Sequence, residues 1–177
     1  VKPLLCISTR PRIPAIQPPA TMPSASSSRV AQTQVKKGST SMASIIDIYR
    51  VRRMLECGAL RQAWQQHPAI KVMREAVKRG QRQRELVDWV GVGSANMMFH
   101  TAIIDLSDSV RLNEFYERIS AELRLCFGLL NDPEHLHAPF VDMNDAIVTL
   151  LEDNKPHEAA AQMETYLNLP ERTMLKA

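Results

Sequence analysis

Residues 96–100 read Asn-Met-Met-Phe-His and lie inside the longest apolar stretch of the chain, residues 86–106. If this stretch is helical, residues four apart share one face, so Asn96 and His100 point in the same direction. A carboxamide and an imidazole on the apolar face of a helix need hydrogen-bonding partners from neighbouring helices. The stretch therefore predicts a helical core that encloses a polar cluster.

Two interpretations of this polar pair are open from the five residues alone. The two side chains can form a satisfied polar pair within an otherwise apolar core, as buried polar groups usually do. Alternatively, they line a ligand pocket, since helical bundles build such sites from side chains on facing helices. The rest of the sequence has to distinguish these interpretations.

The composition favours helices over strands. The chain of 177 residues contains 9 Met and 6 Gly, and aromatic residues make up 5% of it. Strands are enriched in aromatic and β-branched residues, whereas methionine, alanine, leucine, arginine and glutamate favour helices. We expect an all-α fold, an antiparallel bundle of six to seven helices.

Apolar spacing and capping residues divide the chain into six helices. The predicted helices run from Ser44 to Trp64, from Pro68 to a charged loop at 78–85, from 86 to 106 with a break near Gly91 and Gly93, from 110 to 130, from Pro139 to Asp153, and from Pro156 to an end or kink at Pro170. A surface loop is predicted before Pro139. It carries His135 and His137, and we expect no metal there because no third ligand lies nearby.

The net charge of +3 hides a difference between the two ends of the chain. Residues 1–42 contain six Lys and Arg residues, six of the eleven prolines and no acidic residue, which leaves −3 for the rest. Such a segment cannot bury enough apolar surface to offset its ordering entropy. We expect a disordered basic tail over 1–42, a helical domain over 43–170 and a C-terminal tail over 171–177.

Cysteine usage and hydropathy indicate a cytoplasmic protein. Cys6, Cys57 and Cys126 are odd in number and widely spaced, which is typical neither of a disulfide framework nor of a thiolate zinc site. The longest apolar stretch contains Asp88, His100 and Asp105, so no membrane span is predicted. The acidic body of the chain does not predict a nucleic-acid-binding surface.

Three motifs in succession resemble one family of bacterial regulators. The first motif is an aspartate, an aromatic residue and Arg-x-x-x-Glu, at Asp47, Tyr49, Arg52 and Glu56. The second is the helix motif Asn96-Met-Met-Phe-His100. The third is Asn144-Asp-Ala-Ile147, followed by an alanine-rich helix with Met163 and Tyr166-Leu167. Over about residues 45–169 this pattern resembles the FCD domain, the C-terminal effector-binding domain of FadR-type regulators in the GntR family.

The resemblance implies a fold and a role. Domains of this family are helical bundles that dimerise and bind a small effector, and in the whole regulators a winged helix-turn-helix domain precedes them. We therefore expect a homodimer, or a dimer with a full-length relative, that senses a small carboxylate. Residues 1–42 are too few and not patterned for a winged helix, so DNA contact is expected only through a domain that this sequence does not contain.

The resemblance also implies which residues form the site. In many members one aspartate and three histidines hold a divalent metal that helps to bind a carboxylate effector, and those positions correspond to Asn96, His100, Asn144 and Tyr166. Only the histidine is retained. Amide and phenol groups are poor ligands for zinc or nickel, so we expect no metal and no other cofactor.

A metal-free pocket is the leading functional prediction. Asn96, His100, Asn144 and Tyr166 would surround the effector, and Arg52 would pair with its carboxylate. The alternatives are a helical interaction module, or a truncated remnant that neither senses nor binds DNA and whose polar groups satisfy one another. No enzyme is predicted, because no nucleophile or second acid accompanies His100 as a general base.

Overall fold

The computed structural model describes residues 42–128 and 133–175, which form six α-helices without a strand. The helices are α1 (Met42–Arg61), α2 (Pro68–Glu85), α3 (Trp89–Asp105), α4 (Val110–Phe127), α5 (Pro133–Glu152) and α6 (Pro156–Met174). The predicted all-α bundle is confirmed. The tail predicted over 1–42 lies outside the described residues except for Met42, as do residues 176–177 of the predicted C-terminal tail.

Helix α3 lies at the centre of the bundle, in contact with α1, α2, α4 and α5. Its buried residues cover more than half of the helix circumference, and a narrower stripe that includes Ser94 and Thr101 is exposed. Helix α6 packs against α1 and α5. This arrangement places the two buried polar residues of α3, Asn96 and His100, in the middle of the core.

The turn between α2 and α3 both ends one helix and begins the next. The amides of Val87 and Asp88 donate to the carbonyls of Arg84 and Gln83, which is the Schellman pattern of a helix C-terminus. The Asp88 side chain then accepts a hydrogen bond of 2.9 Å from the amide of Gly91 and caps α3. Because of this cap, α3 is continuous, and the predicted break near Gly91 and Gly93 is wrong.

Four other predicted boundaries differ from the structure. The run 78–85 belongs to α2 rather than to a loop, and Arg84 in it contacts Asp142 of α5 at 3.0 Å. Helix α5 begins at Pro133, a favourable first position for proline, so the loop predicted around His137 is wrong. Helix α6 continues past Pro170 to Met174, and α1 begins at Met42 rather than at Ser44.

Candidate functional site

Five helices contribute side chains to one buried polar cluster. Its members are Arg52 and Glu56 of α1, Asn96 and His100 of α3, Tyr116 of α4, Asn144 of α5 and Tyr166 of α6, each no more than 9% exposed. The five residues predicted from the sequence as the site are therefore brought together. Glu56 and Tyr116 belong to the cluster as well, although the sequence did not place them in the site.

The Glu56 carboxylate is the negative centre of this cluster. It accepts hydrogen bonds from Arg52 Nε at 2.7 Å and from the Tyr116 hydroxyl at 2.6 Å, and His100 Nδ1 lies 2.7 Å from its other oxygen. Burial opposes ionisation of Glu56. The charge of Arg52 and the hydrogen bonds from His100 and Tyr116 outweigh this effect and lower the pKa of Glu56 from 4.5 to about 2.

Arg52 and Glu56 together make the cluster electrically neutral. Both side chains are fully buried, and they lie one helical turn apart. Burial lowers the pKa of His100 more than the nearby Glu56 carboxylate raises it, so the imidazole is neutral at pH 7. Arg52, rather than His100, is therefore the charge that keeps Glu56 ionised at neutral pH.

His100 connects Glu56 to the rest of the cluster. Its Nε2 atom lies 3.0 Å from the hydroxyl of Tyr166, which lies 2.9 Å from Asn96 Oδ1. Burial raises the pKa of Tyr166, so its hydroxyl keeps its proton. A single hydroxyl proton serves one of these two acceptors at a time, which gives the cluster two alternative hydrogen-bond arrangements.

The two asparagines extend the cluster to α5. Asn144 Nδ2 donates to Asn96 Oδ1 at 2.7 Å. Two buried atoms of the cluster, Asn144 Oδ1 and Arg52 Nη2, have no hydrogen-bond partner among the described residues. Unsatisfied buried polar atoms are costly and uncommon in proteins, so each of them marks a place where a further polar group would be stabilising.

A cavity of about 10 Å³ adjoins the asparagines between α2, α3 and α5. Its polar lining consists of Asn96, Asn144 and His137, and His137 Nδ1 also lacks a partner among the described residues. His137 lies two helical turns before Asn144, hence on the same face of α5. This spacing was the sequence signal for His137, and the incorrect loop prediction concealed it.

The metal-binding chemistry of the cluster is limited by its hydrogen bonds. Both nitrogens of His100, and Asn96 Oδ1, lie within hydrogen-bond distance of other side chains. Among the described residues, no group of three or more His, Cys, Asp and Glu is arranged to hold a metal ion. The donors that remain at the four positions are two amides, a phenol and one engaged imidazole, which does not fit zinc or nickel.

None of the helices in the described ranges is long and apolar enough to cross a membrane.

Comparisons with known proteins agree on one family. The family model described as the FCD domain matches residues 47–169. No curated protein sequence matches the chain.

Two solved structures share the fold. One is a protein assigned as a GntR transcriptional regulator from Rhodococcus sp. RHA1, with a TM-score of 0.72 and 28% sequence identity. The match covers 77% of this chain and 66% of the regulator, so this chain corresponds to part of the regulator. The other is the metal-free FCD domain of TM0439, assigned as a transcriptional regulator, with a TM-score of 0.64 and 13% identity; 78% of this chain and 96% of that one are covered.

Proposed function

Because the chain belongs to the FCD domain family, we propose that it is the effector-sensing and dimerising domain of a GntR-type transcription regulator. One observation carries the proposal: Arg52, Asn96, His100, Asn144 and Tyr166 come from four different helices and converge on one buried cluster. Burying a polar group costs free energy unless it is hydrogen-bonded, and Asn144 Oδ1 and Arg52 Nη2 in this cluster lack a partner among the described residues.

The position of the cluster explains how sensing would work. A molecule bound beside the asparagines contacts groups on α3 and α5 at the same time and lies against α2, so it changes how these helices pack. In a dimer, that change alters the relative position of the attached DNA-binding modules and thereby the affinity for DNA. The coupling is reciprocal, so DNA would change the affinity for the effector by the same factor.

We assign DNA contact to a winged-helix domain and not to the bundle, in a regulator that acts in the cytoplasm. Three of the six basic residues of α2 are engaged in ion pairs: Arg74 with Asp145 and Glu152, Lys78 with Glu75, and Arg84 with Asp142. These pairs neutralise half of the cations that this helix could offer to DNA phosphates. The bundle therefore serves sensing and dimerisation.

The proposal includes sensing without a metal. The amide and phenol groups at three of the four family positions are hydrogen-bond partners rather than metal ligands, and Glu56 and Tyr166 occupy the two nitrogens of the remaining histidine. An effector would thus bind by hydrogen bonds to the protein itself.

A thermal-shift screen of small metabolites, run with and without Zn²⁺ and Ni²⁺, tests the proposed function. A ligand that binds only the native state stabilises it by about 2.7 kcal/mol at a hundredfold excess over its dissociation constant. We expect a shift that does not depend on metal and that Asn96→Ala and Tyr166→Phe abolish. Thr149→Ala, an exposed change on α5, is the matched control and should leave the shift unchanged.

The size of the cavity favours a second candidate, a helical interaction module without a ligand. The cluster is largely satisfied by its own hydrogen bonds, and about 10 Å³ holds a group no larger than water. In that case the polar cluster only stabilises the fold. A screen without any stabilising compound, combined with a stable dimer in sedimentation equilibrium, would support this candidate over a sensor.

A further inference from the structure

The positive charge of Arg52 is already neutralised by an ion pair. Its Nε atom lies 2.7 Å from the Glu56 carboxylate, and Arg52 does not line the cavity beside the asparagines. A bound carboxylate would therefore be a third buried charge next to an ion pair that is already neutral. Such a charge pays the desolvation cost without a cation to offset it.

The cavity itself is lined by uncharged groups. Besides Asn96, His137 and Asn144, the cavity is lined by alanine, glycine and valine residues of α2, α3 and α5, among them Ala76 and Gly80. Burial lowers the pKa of His137, so the imidazole is neutral at pH 7. Burying an ionised carboxylate against such walls is strongly unfavourable.

The unpartnered atoms at the cavity specify which hydrogen bonds a ligand must make. Asn144 Oδ1 is an acceptor, and Asn144 is only 4% exposed. A carboxylate oxygen would repel it, whereas the N–H of a carboxamide or the O–H of an alcohol would satisfy it. His137 Nδ1, on a side chain 9% exposed, is the second unpartnered atom, and a neutral imidazole can donate or accept there.

His137 lines both the cavity and a surface groove. The groove has a volume of about 310 Å³, and Trp89, Met97, Phe127 and His137 are among the residues that line it. Gly93 makes room for the imidazole, because a Cβ atom at that position would lie 2.8 Å from His137 Nε2. The groove is large enough for the body of a small ligand, and the cavity holds about one water-sized group.

We propose that the effector of this site is uncharged, and that its hydroxyl, or the NH₂ group of its carboxamide, enters the cavity, donates a hydrogen bond to Asn144 Oδ1 and contacts His137. The body of the molecule lies in the groove against Trp89 and Phe127. This inference rests on the proposed sensing function, and it replaces the carboxylate that the family resemblance implies.

Matched probes that differ in charge but hardly in shape test the inference. Isothermal titration of the whole chain at pH 7.5 compares benzamide with benzoate and acetamide with acetate, and benzyl alcohol tests the hydroxyl. We expect each amide to bind at least about tenfold more tightly than its carboxylate. Asn144→Leu should abolish amide binding, whereas Thr149→Ala should leave it unchanged. Each amide is compared with its carboxylate on the unmodified chain, so this comparison does not depend on whether a variant folds.

The outcomes separate this inference from the function on which it rests. Carboxylates that bind as tightly as their amides, in a way that Asn144→Leu weakens, would overturn the uncharged effector and leave the sensing function intact. Absence of binding by all five probes at concentrations of tens of millimolar would overturn the inference, and a metabolite screen that also found nothing would overturn the sensing function.

Discussion

Glu56 is the residue on which the polar cluster depends most. Its carboxylate accepts from Arg52 and Tyr116 and lies against His100, so three other side chains are positioned by it. Arg52 is 2% exposed, and Glu56 is its ion-pair partner in the structure. Loss of the carboxylate would leave a buried guanidinium without a counter-charge, which is among the most destabilising changes known in protein cores.

Glu56→Gln is therefore predicted to lower the free energy of unfolding by about 3–5 kcal/mol in urea denaturation. Glu75→Gln removes the same charge from an exposed pair with Lys78, and we expect it to change the free energy of unfolding far less than Glu56→Gln does, because solvent screens exposed pairs. Equal and small effects of the two substitutions would show that Glu56 does not hold the cluster together.

The pH dependence of stability follows from two groups of the cluster. The pKa of His100 is lowered from its ordinary value of 6.5, so below that pH the unfolded chain binds a proton that the folded chain does not, and stability falls. The pKa of Glu56 falls from 4.5 to about 2, so a further loss of about 3 kcal/mol follows between these values.

Urea denaturation at pH 8, 7, 6 and 5 measures the first of these losses. We expect the free energy of unfolding to decline below pH 6.5, and the decline to be smaller in His100→Gln than in the control His157→Asn, whose histidine is exposed. A decline of the same size in both variants would mean that His100 is not buried in its neutral form.

At the residue scale, the sequence predicted which residues belong to the cluster better than it predicted which of them contact one another. Asn96 and His100 were recognisable from their spacing on an apolar helix, and Arg52, Asn144 and Tyr166 from the family pattern. The pairing of Arg52 with Glu56 changes the expected chemistry, because it uses the charge that the sequence assigned to a ligand. Which side chains meet depends on the rotation of each helix, and helical spacing alone does not determine that.

At the scale of elements, helix centres were predictable and several ends were not. The prolines show why. Pro68 and Pro156 stand at the first positions of α2 and α6, as predicted. Pro139 and Pro170 lie inside helices, where proline removes a hydrogen bond, so tertiary packing overrides a local cost there.

The turn between α2 and α3 contains a second locally unfavourable feature, a residue with a strained backbone conformation. Val87 has φ of 58°, the left-handed conformation that a β-branched residue rarely adopts, and it is exposed. We predict that Val87→Gly raises the free energy of unfolding by about 1 kcal/mol, since glycine adopts this conformation without strain. The matched control is Asn154→Gly, at φ of 60°, because asparagine already tolerates this conformation and little should change. A lower free energy of unfolding in Val87→Gly would show that the backbone of Val87 is not strained.

At the scale of the whole molecule, the charge pattern separates the bundle from the segment before it. Residues 1–42 are predicted from their prolines and lack of apolar period to add no core. A chain that begins at residue 42 should then unfold with the same free energy as the 177-residue chain, within about 0.5 kcal/mol. A clear loss of stability in circular dichroism melts would show that the segment packs on the bundle.

The central claim is that the buried cluster at Asn96 and Asn144 is where an effector binds. The most direct measurement is an amide ¹H–¹⁵N map recorded while the strongest compound from the thermal-shift screen is titrated without metal. We expect the largest shift changes at the side-chain amides of Asn96 and Asn144 and at the backbone of Gly80, and we expect Asn144→Leu to remove them. Changes confined to surface residues elsewhere, with both asparagine side chains unaffected, would contradict it.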